Sequence, residues 1–186
     1  MQRWLARLAS CAILPLLALA GSAAQAQTQA SEEQVKAAFL PKFARYIQMP
    51  AAAQPPAGQP YYLCLIGRDP FGGLIDRAAG SESIDGHSVA VRRFANADAP
   101  AVAGCHLAYV AGAGDAQTAQ MLGAMRRQAT LTITDSRWGG SRGMIHFAVI
   151  GGRVRFYIDE ATASERGIVI SSRLLALAVA VKQRSQ

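Results

Sequence analysis

The glycine pair Gly151-Gly152 is the local feature that most constrains the fold of this chain. Two runs rich in β-branched and aromatic residues flank it, Gly143-Met144-Ile145-His146-Phe147 before the pair and Arg153-Val154-Arg155-Phe156-Tyr157-Ile158-Asp159 after it. Glycine readily adopts the positive φ angles that a tight two-residue hairpin turn requires. The sequence therefore predicts an antiparallel β-hairpin centred on this pair.

Upstream of the hairpin, strand-like and helix-like segments alternate. Short apolar runs predict strands at Tyr61 to Ile66, Ser88 to Phe94, His106 to Ala111 and Leu131 to Thr134. Such alternation is typical of right-handed crossovers in a parallel sheet. We therefore expect one α/β domain, Rossmann-like in the broad sense, with a mostly parallel mixed sheet in two or three layers. The hairpin adds antiparallel pairing at one edge, which also offers a surface for a homodimer.

Two of the intervening helices have recognisable starts. Asp69 followed by Pro70 predicts a capped helix that runs to about Ala79. Asp115 predicts the cap of a longer helix that ends at Arg127. The helical spacing of its apolar residues predicts burial of a stripe formed by Ala119, Leu122 and Met125.

Helices are also expected at both ends of the domain. Ser31 and Gln34 have the spacing of a capping box, and Pro41 predicts a kink or a break into two short helices. Pro50 to Pro60 is rich in Ala, Gln, Gly and Pro and predicts a loop. Ser171 or Ser172 can cap a final helix that packs on the core through Leu174, Leu175, Ala178, Val179 and Val181.

Residues 1–26 have the organisation of a secretory signal peptide. Arg3 and Arg7 precede an apolar stretch, and a small-x-small pattern ends at Ala26, so cleavage is expected between Ala26 and Gln27. The apolar stretch is short for a membrane span, although a membrane anchor is the alternative. Removal of the signal peptide lowers the formal net charge of the chain from +7 to +5 and leaves residues 27–186 as the domain.

Cys64 and Cys105 are the two cysteines of the expected mature chain. An even number in an exported protein favours a disulfide, with two buried free thiols as the alternative. A metal site is less favoured, because Cys105 and the adjacent His106 would point to opposite faces of a strand.

The order of these segments resembles the YfiR family of small exported bacterial proteins. The resemblance is carried by Val35-Lys36-Ala37-Ala38-Phe39-Leu40, Phe43-Ala44-Arg45-Tyr46, Leu63-Cys64-Leu65-Ile66-Gly67-Arg68-Asp69-Pro70-Phe71-Gly72, the two strands of the hairpin, and Ile170-Ser171-Ser172-Arg173-Leu174-Leu175. It implies a periplasmic inhibitor of a membrane-bound diguanylate cyclase. Such a protein would dock on the periplasmic sensor domain of the cyclase and restrain synthesis of cyclic di-GMP, and with it biofilm formation.

Several residues are candidates for contact with that partner or with a ligand. Arg68 follows a strand and can meet a small anionic or amino-acid ligand, or it can be an exposed arginine beside a capped helix. Trp138 and Arg142 border a glycine-rich segment that reads equally as a mobile recognition loop and as a connection whose tryptophan enters the core.

The remaining candidates lie on the hairpin and after it. Arg153 and Arg155 are basic groups on the second hairpin strand. Ser171, Ser172 and Arg173 can form an anion site, although helix capping is the simpler interpretation.

The sequence offers little support for catalysis, cofactors or nucleic-acid binding. Its three histidines are dispersed, and H-E-x-x-H and G-x-G-x-x-G patterns are absent. Basic pairs such as Arg92-Arg93 are not interleaved with stacking aromatics. We therefore expect a regulatory binding protein without a cofactor, metal or enzymatic activity. The alternatives are a periplasmic small-ligand receptor that uses Arg68 or Arg173, and a hydrolase without a recognisable motif.

Overall fold

The computed structural model describes residues 30–183, so the predicted signal peptide and the Ala26/Gln27 cleavage position lie outside the described residues. The described residues form six short α-helices: α1 (Glu32–Phe39), α2 (Gly73–Gly80), α3 (Ala99–Val102), α4 (Asp115–Ala124), α5 (Glu160–Glu165) and α6 (Ser172–Leu175). They also form three 3₁₀ turns: Pro41–Tyr46, Ala51–Ala53 and Ser136–Trp138. None of the helices in this part of the chain has the length and hydropathy needed to cross a bilayer.

Ten strands accompany the helices: β1 (Ile47–Gln48), β2 (Tyr61–Gly67), β3 (Ser83–Ile84), β4 (His87–Phe94), β5 (Leu107–Ala111), β6 (Leu131–Asp135), β7 (Ile145–Ile150), β8 (Arg153–Asp159), β9 (Val169–Ile170) and β10 (Val181–Lys182). Eight of them form one sheet in the order β10-β8-β7-β6-β5-β2-β4-β3. Strands β4, β2, β5, β6 and β7 run parallel, whereas β8 is antiparallel to β7. This arrangement confirms the predicted mixed α/β sheet.

The core has two parts because side chains alternate across the buried strands. On one face, Leu65 of β2 and Tyr109 of β5 pack in a large cluster with residues of α1 and α2, such as Ala37 and Ile75. On the other face, a smaller cluster includes Cys64 and Met121 of α4. Helices therefore cover both faces, and the domain has three layers.

The predicted hairpin is confirmed. Strands β7 and β8 pair from Ile145↔Ile158 to Ile150↔Arg153, and both turn glycines have positive φ angles, 56° at Gly151 and 71° at Gly152. A residue with a side chain is disfavoured in that conformation. The glycine pair thus determines both the position of the turn and the register of the two strands.

The N-terminal predictions are also confirmed. Ser31 accepts a hydrogen bond from the backbone N–H of Gln34, and the Gln34 side chain accepts one from the N–H of Ser31. Helix α1 ends at Phe39, and the 3₁₀ turn Pro41–Tyr46 follows. The break occurs because proline has no N–H to continue the α-helical hydrogen bonds.

The predicted start of α2 is wrong. Asp69 accepts from the N–H groups of Phe71 and Gly72, which forms a turn ahead of the helix. Gly72 has a φ of 48°, outside the helical region, so the helix begins at Gly73. Aspartate side chains that bond their own following backbone compete with helix formation in this way.

The prediction for α4 is wrong at both ends and partly wrong in its buried face. Gly114 is the N-cap, and the helix ends at Ala124. The helix buries Thr118 and Met121, and the predicted Met125 is buried directly after it, whereas the predicted Ala119 is exposed and Leu122 is half-buried. The rotation follows from Thr118, whose Oγ1 accepts from the N–H of Gly112 and thereby fixes the helix against the end of β5.

The predicted long C-terminal helix is wrong as well. Ser171 caps α6, which ends at Leu175 after one turn, and Val181 then lies in β10 beside Ile158 of β8. The extended segment pairs with the outer edge of β8, where Val179 donates its N–H to the carbonyl of Phe156. Pairing of this exposed edge and the strand preference of valine outweigh the helical spacing. The hairpin is therefore not the outermost part of the sheet along its whole length.

Candidate functional site

A buried ionic cluster joins α1 to the carboxyl end of β6. Lys36 is 1% exposed, and its ammonium contacts the carboxylates of Glu32 and of Asp135, which is itself 3% exposed. The ring of Phe147 lies below the ammonium, with its centroid 5.8 Å from Nζ. A charge removed from water is tolerated only when it is paired, so these contacts fix the position of α1 on the sheet.

Tyr109 and Trp138 extend the cluster towards the surface. The Tyr109 hydroxyl donates to Oδ2 of Asp135 at 3.4 Å and accepts from the indole N–H of Trp138 at 2.9 Å. Burial of the Tyr109 side chain raises the pKa of its hydroxyl, so the group stays protonated as a donor. The tryptophan is therefore held by a hydrogen bond at its inner end.

Two arginines flank Trp138. The guanidinium carbon of Arg68 lies 5.2 Å from the ring centroid, and that of Arg137 lies 5.9 Å from it. Arg137 also forms ion pairs with Glu32 and Glu33 at 3.1 and 2.7 Å. The structure thus brings together two predicted contact residues, Arg68 and Trp138. The tryptophan is half-buried: part of its ring packs against the core, as expected for a structural connection, and part is exposed, as expected for a recognition residue.

The glycine-rich segment after Trp138 is anchored at several points. Oδ1 of Asp115 accepts from the N–H of Ser141 at 2.6 Å, and Oγ1 of Thr134 accepts from the N–H of Gly143 at 2.8 Å. A Cβ atom at Gly143 would lie 2.7 Å from the carbonyl oxygen of Thr132. These contacts favour a fitted connection over a mobile loop.

The exposed end of the hairpin forms a mixed basic and apolar surface. The register Ile150↔Arg153 and Ala148↔Arg155 places these four side chains on one face of the two strands. Ile150 is 42% exposed, and both arginines are exposed. We call Ile150, Arg153 and Arg155 the hairpin surface; the exposed Leu177 and Val179 belong to the neighbouring segment that pairs with β8.

Arg142 and the Ser171 region lie elsewhere. The Arg142 guanidinium carbon is 4.8 Å from the ring centroid of Tyr157. Ser171 caps α6 through its hydroxyl and donates its N–H to the carbonyl of Tyr46, while Ser172 and Arg173 are exposed. The predicted contact residues therefore form separate groups, and neither Arg68 nor Arg173 lines the cavities of about 620 and 510 Å³.

A sequence profile of the YfiR/HmsC-like family matches residues 33–179, from α1 to the segment that precedes β10. The chain belongs to this family. No protein with a curated description matches the sequence.

In this YfiR/HmsC-like protein, Cys64 and Cys105 form a disulfide that spans 41 residues. The bond lies in the smaller core cluster, where it links β2 to the turn before β5. Within residues 30–183, no group of three or more His, Cys, Asp or Glu side chains could hold a metal ion.

The histidines of this family member have structural partners. Nδ1 of His106 accepts from the backbone N–H of Tyr62 at 2.9 Å, and Nδ1 of His146 lies 2.9 Å from Oγ1 of Thr134. Within residues 30–183, neither ring is hydrogen-bonded to a serine or a carboxylate. This geometry does not favour the hydrolase hypothesis.

The sequence analysis missed the centre of the ionic cluster, namely Lys36, Asp135 and Tyr109. Lys36 lies in the middle of a helix that docks on the core, and Asp135 is the last residue of a strand whose other residues are apolar or carry hydroxyl groups. A charged residue at a position expected to be buried indicates that it forms an ion pair with another buried charge.

Proposed function

We propose that this protein is a periplasmic inhibitor of an inner-membrane diguanylate cyclase, which it restrains by docking on the sensor domain of that enzyme. Its membership of the YfiR/HmsC-like family supports a periplasmic regulator with a protein partner in cyclic di-GMP signalling. The observation that carries the docking proposal is the hairpin surface. It combines the exposed apolar side chain of Ile150 with two exposed arginines at a sheet edge.

Of the five large hydrophobic side chains that are exposed in residues 30–183, four lie on the hairpin or on the segment beside it: Val149, Ile150, Leu177 and Val179. Ile150 lies on the same face as both arginines, so this face offers an apolar contact beside two positive charges. Neither Arg153 nor Arg155 forms an ion pair within the described residues. The complementary partner surface would be acidic around an apolar centre.

Inhibition by docking requires that the protein binds the two states of the cyclase with different affinities. A ligand that binds the inactive arrangement more tightly shifts the population towards it, whereas equal affinity for both states has no effect. The three-layer core and the disulfide support this role, because a rigid surface loses little conformational entropy on association. The protein needs no catalytic group of its own.

Export through cleavage between Ala26 and Gln27 is part of the proposal. It would place residues 27–186 in the periplasm, beside the external domains of inner-membrane enzymes. The disulfide between Cys64 and Cys105 supports this location, because such bonds persist in oxidising compartments.

The test is the cyclic di-GMP content of cells that lack the protein, compared with cells complemented by variants. Deletion should raise cyclic di-GMP, and the wild-type chain should restore the low level. The variant R153E/R155E reverses two charges of the hairpin surface and should fail to restore it. R127E, which reverses an exposed arginine after α4, is the matched control and should restore it.

Exported protein should be quantified in each strain, so that a folding defect is separated from a docking defect. Unchanged cyclic di-GMP on deletion would contradict the inhibitory function. Full restoration by R153E/R155E would contradict the assignment of the hairpin surface while leaving the inhibitory function intact. A direct pull-down of the cyclase with wild-type and variant protein distinguishes these two failures.

A small-ligand receptor is the second candidate function. Arg68 and Arg173, the residues first considered for ligand binding, do not line the two larger cavities. One of these cavities, a cleft of about 510 Å³, nevertheless favours ligand binding. That cleft is lined by arginines.

A further inference from the structure

Three arginines from three different segments line one cleft of about 510 Å³. Arg126 follows α4, Arg142 precedes β7, and Arg166 follows α5. The cleft lies between α4 and α5, because β8 runs antiparallel to β7 and therefore delivers α5 to the amino end of that strand. Cavities of this volume are typical of small-molecule sites.

None of the three arginines has a carboxylate within ion-pairing distance in residues 30–183. Arg126 and Arg166 donate to carbonyl oxygens, those of Gly123 at 3.3 Å and Met125 at 3.4 Å. The carboxylate that lines the cleft, Asp159, is committed to the N–H of Thr162 and to Lys182 at 2.9 Å each. The guanidinium groups therefore retain donors for a ligand.

Arg166 is half-buried, so its charge is costly where residues 30–183 offer it no carboxylate partner. Burial lowers the pKa of Arg166; Glu165 counteracts this effect, while Arg126 lowers the pKa further. Arg126 and Arg166 line the same cleft, so their positive charges repel one another. An anion bound between them would remove both the repulsion and the cost of burial.

We infer that the cleft between α4 and α5 is a binding site for a small dianion with an apolar body, held by Arg126, Arg142 and Arg166. Three arginines and one aspartate leave the lining with a formal charge of +2, which two negative charges on the ligand would balance. Leu122 and Met144 supply an apolar wall for the rest of the molecule. Arginine suits this role because its planar donors bind carboxylates and phosphates in pairs.

The site is separate from the proposed docking surface, since no residue of the hairpin surface lines the cleft. Binding can therefore be measured on the purified protein without the cyclase. Failure to bind would leave the docking proposal intact, and failure of docking would leave the ligand site intact.

The experiment is isothermal titration of the purified protein with phenyl phosphate and, in a second arm, with phthalate. Both carry two negative charges on an aromatic ring, and the two arms distinguish a phosphate ester from a dicarboxylate. Benzoate, which has the same ring and a single charge, and inorganic phosphate, which lacks the ring, are the matched ligands. We expect at least one dianion to bind at one site per chain, more tightly than benzoate and inorganic phosphate.

The variant R126Q/R142Q removes two exposed cations of the cleft and should weaken binding at least ~10-fold, as expected for loss of charge-assisted hydrogen bonds. R166Q, tested separately, should weaken it as well. R155Q, an exposed arginine of the hairpin surface, is the control and should bind like the wild type. Circular dichroism and thermal unfolding confirm that each variant is folded.

Absence of saturable binding of both dianions at millimolar concentration would overturn the inference. So would unchanged affinity in a folded R126Q/R142Q variant, or an equal loss in R155Q.

Discussion

Lys36 and Asp135, which are 99 residues apart in the sequence, form a buried ion pair between α1 and the end of β6. The pair joins the first helix of the domain to the middle of the sheet, beside Tyr109 and Trp138. Its surroundings are almost free of solvent, so each charge depends on the other for its stability.

The change K36M should lower the free energy of unfolding by about 3–5 kcal/mol, because it leaves the carboxylate of Asp135 buried without its cation. Urea unfolding of the purified protein measures this loss. K42M, at an exposed lysine of the following 3₁₀ turn, should change stability by less than about 0.5 kcal/mol. The double variant K36M/D135L should lose less stability than the sum of the losses in K36M and D135L, because neither member of the ion pair is left buried without the other. A loss in K36M as small as that in K42M would show that the pair does not support α1.

Removal of the disulfide in C64A/C105A should destabilise the domain by about 4 kcal/mol, the entropy expected for releasing a loop of 41 residues. Unfolding by guanidinium with and without dithiothreitol measures the same quantity on the wild-type chain. The reductant should have no effect on C64A/C105A. A reductant effect that persists in this variant would show that the stabilisation has another source.

Stability should fall as the pH drops below about 6.5, the usual pKa of histidine. Burial lowers the pKa of both His106 and His146, so the unfolded chain takes up protons before the folded one does. Nδ1 of His106 accepts a hydrogen bond from the N–H of Tyr62, so this nitrogen must carry no proton. The Thr134 hydroxyl accepts from the N–H of Gly143 and donates to Nδ1 of His146, so that nitrogen must also carry no proton. Protonation would break both hydrogen bonds.

Urea unfolding at pH 7.5 and pH 5 measures this dependence. This pH range is separate from the loss of stability expected below about pH 4. There Glu33, Asp76 and Asp159, whose pKa values are lowered in the folded protein, become protonated. The variant H106Q/H146Q should show a weaker dependence of stability on pH between pH 7.5 and pH 5 than the wild type. An identical pH dependence in H106Q/H146Q would rule out these two groups as its source.

The substitution G143A should cost about 1–3 kcal/mol, because its Cβ would lie 2.7 Å from the carbonyl oxygen of Thr132 and force the chain away from β6. G140A in the same segment is the control, since a Cβ there meets nothing within 4 Å. Thermal unfolding of the two variants should therefore differ by several degrees. Equal melting temperatures would show that this connection adapts freely.

Features that depend on neighbouring residues were accessible to sequence reasoning. Gly151 and Gly152 determine the hairpin turn, Ser31 with Gln34 determines the start of α1, and Pro41 ends it. Each acts through its own backbone or through residues three or four positions away. The strands of the parallel sheet were predictable for a similar reason, because fully buried strands need uninterrupted apolar runs.

Features that depend on distant partners were not accessible. The segment after Leu175 has helical spacing, yet it becomes an extended strand because the edge of β8 offers hydrogen bonds to it. The buried face of α4 is rotated because Thr118 bonds to the end of β5. In both cases a tertiary hydrogen bond outweighs local propensity, which amounts to less than about 1 kcal/mol per residue.

The sequence by itself determined the α/β class, the hairpin, the family and the pairing candidates for the two cysteines. Only the tertiary structure decided that Lys36 meets Asp135, that Arg68 flanks Trp138, and that Arg126, Arg142 and Arg166 line one cleft. Local patterns specify elements because they act over a few residues. A site forms from side chains far apart in the chain, and their proximity is set by how the completed layers pack.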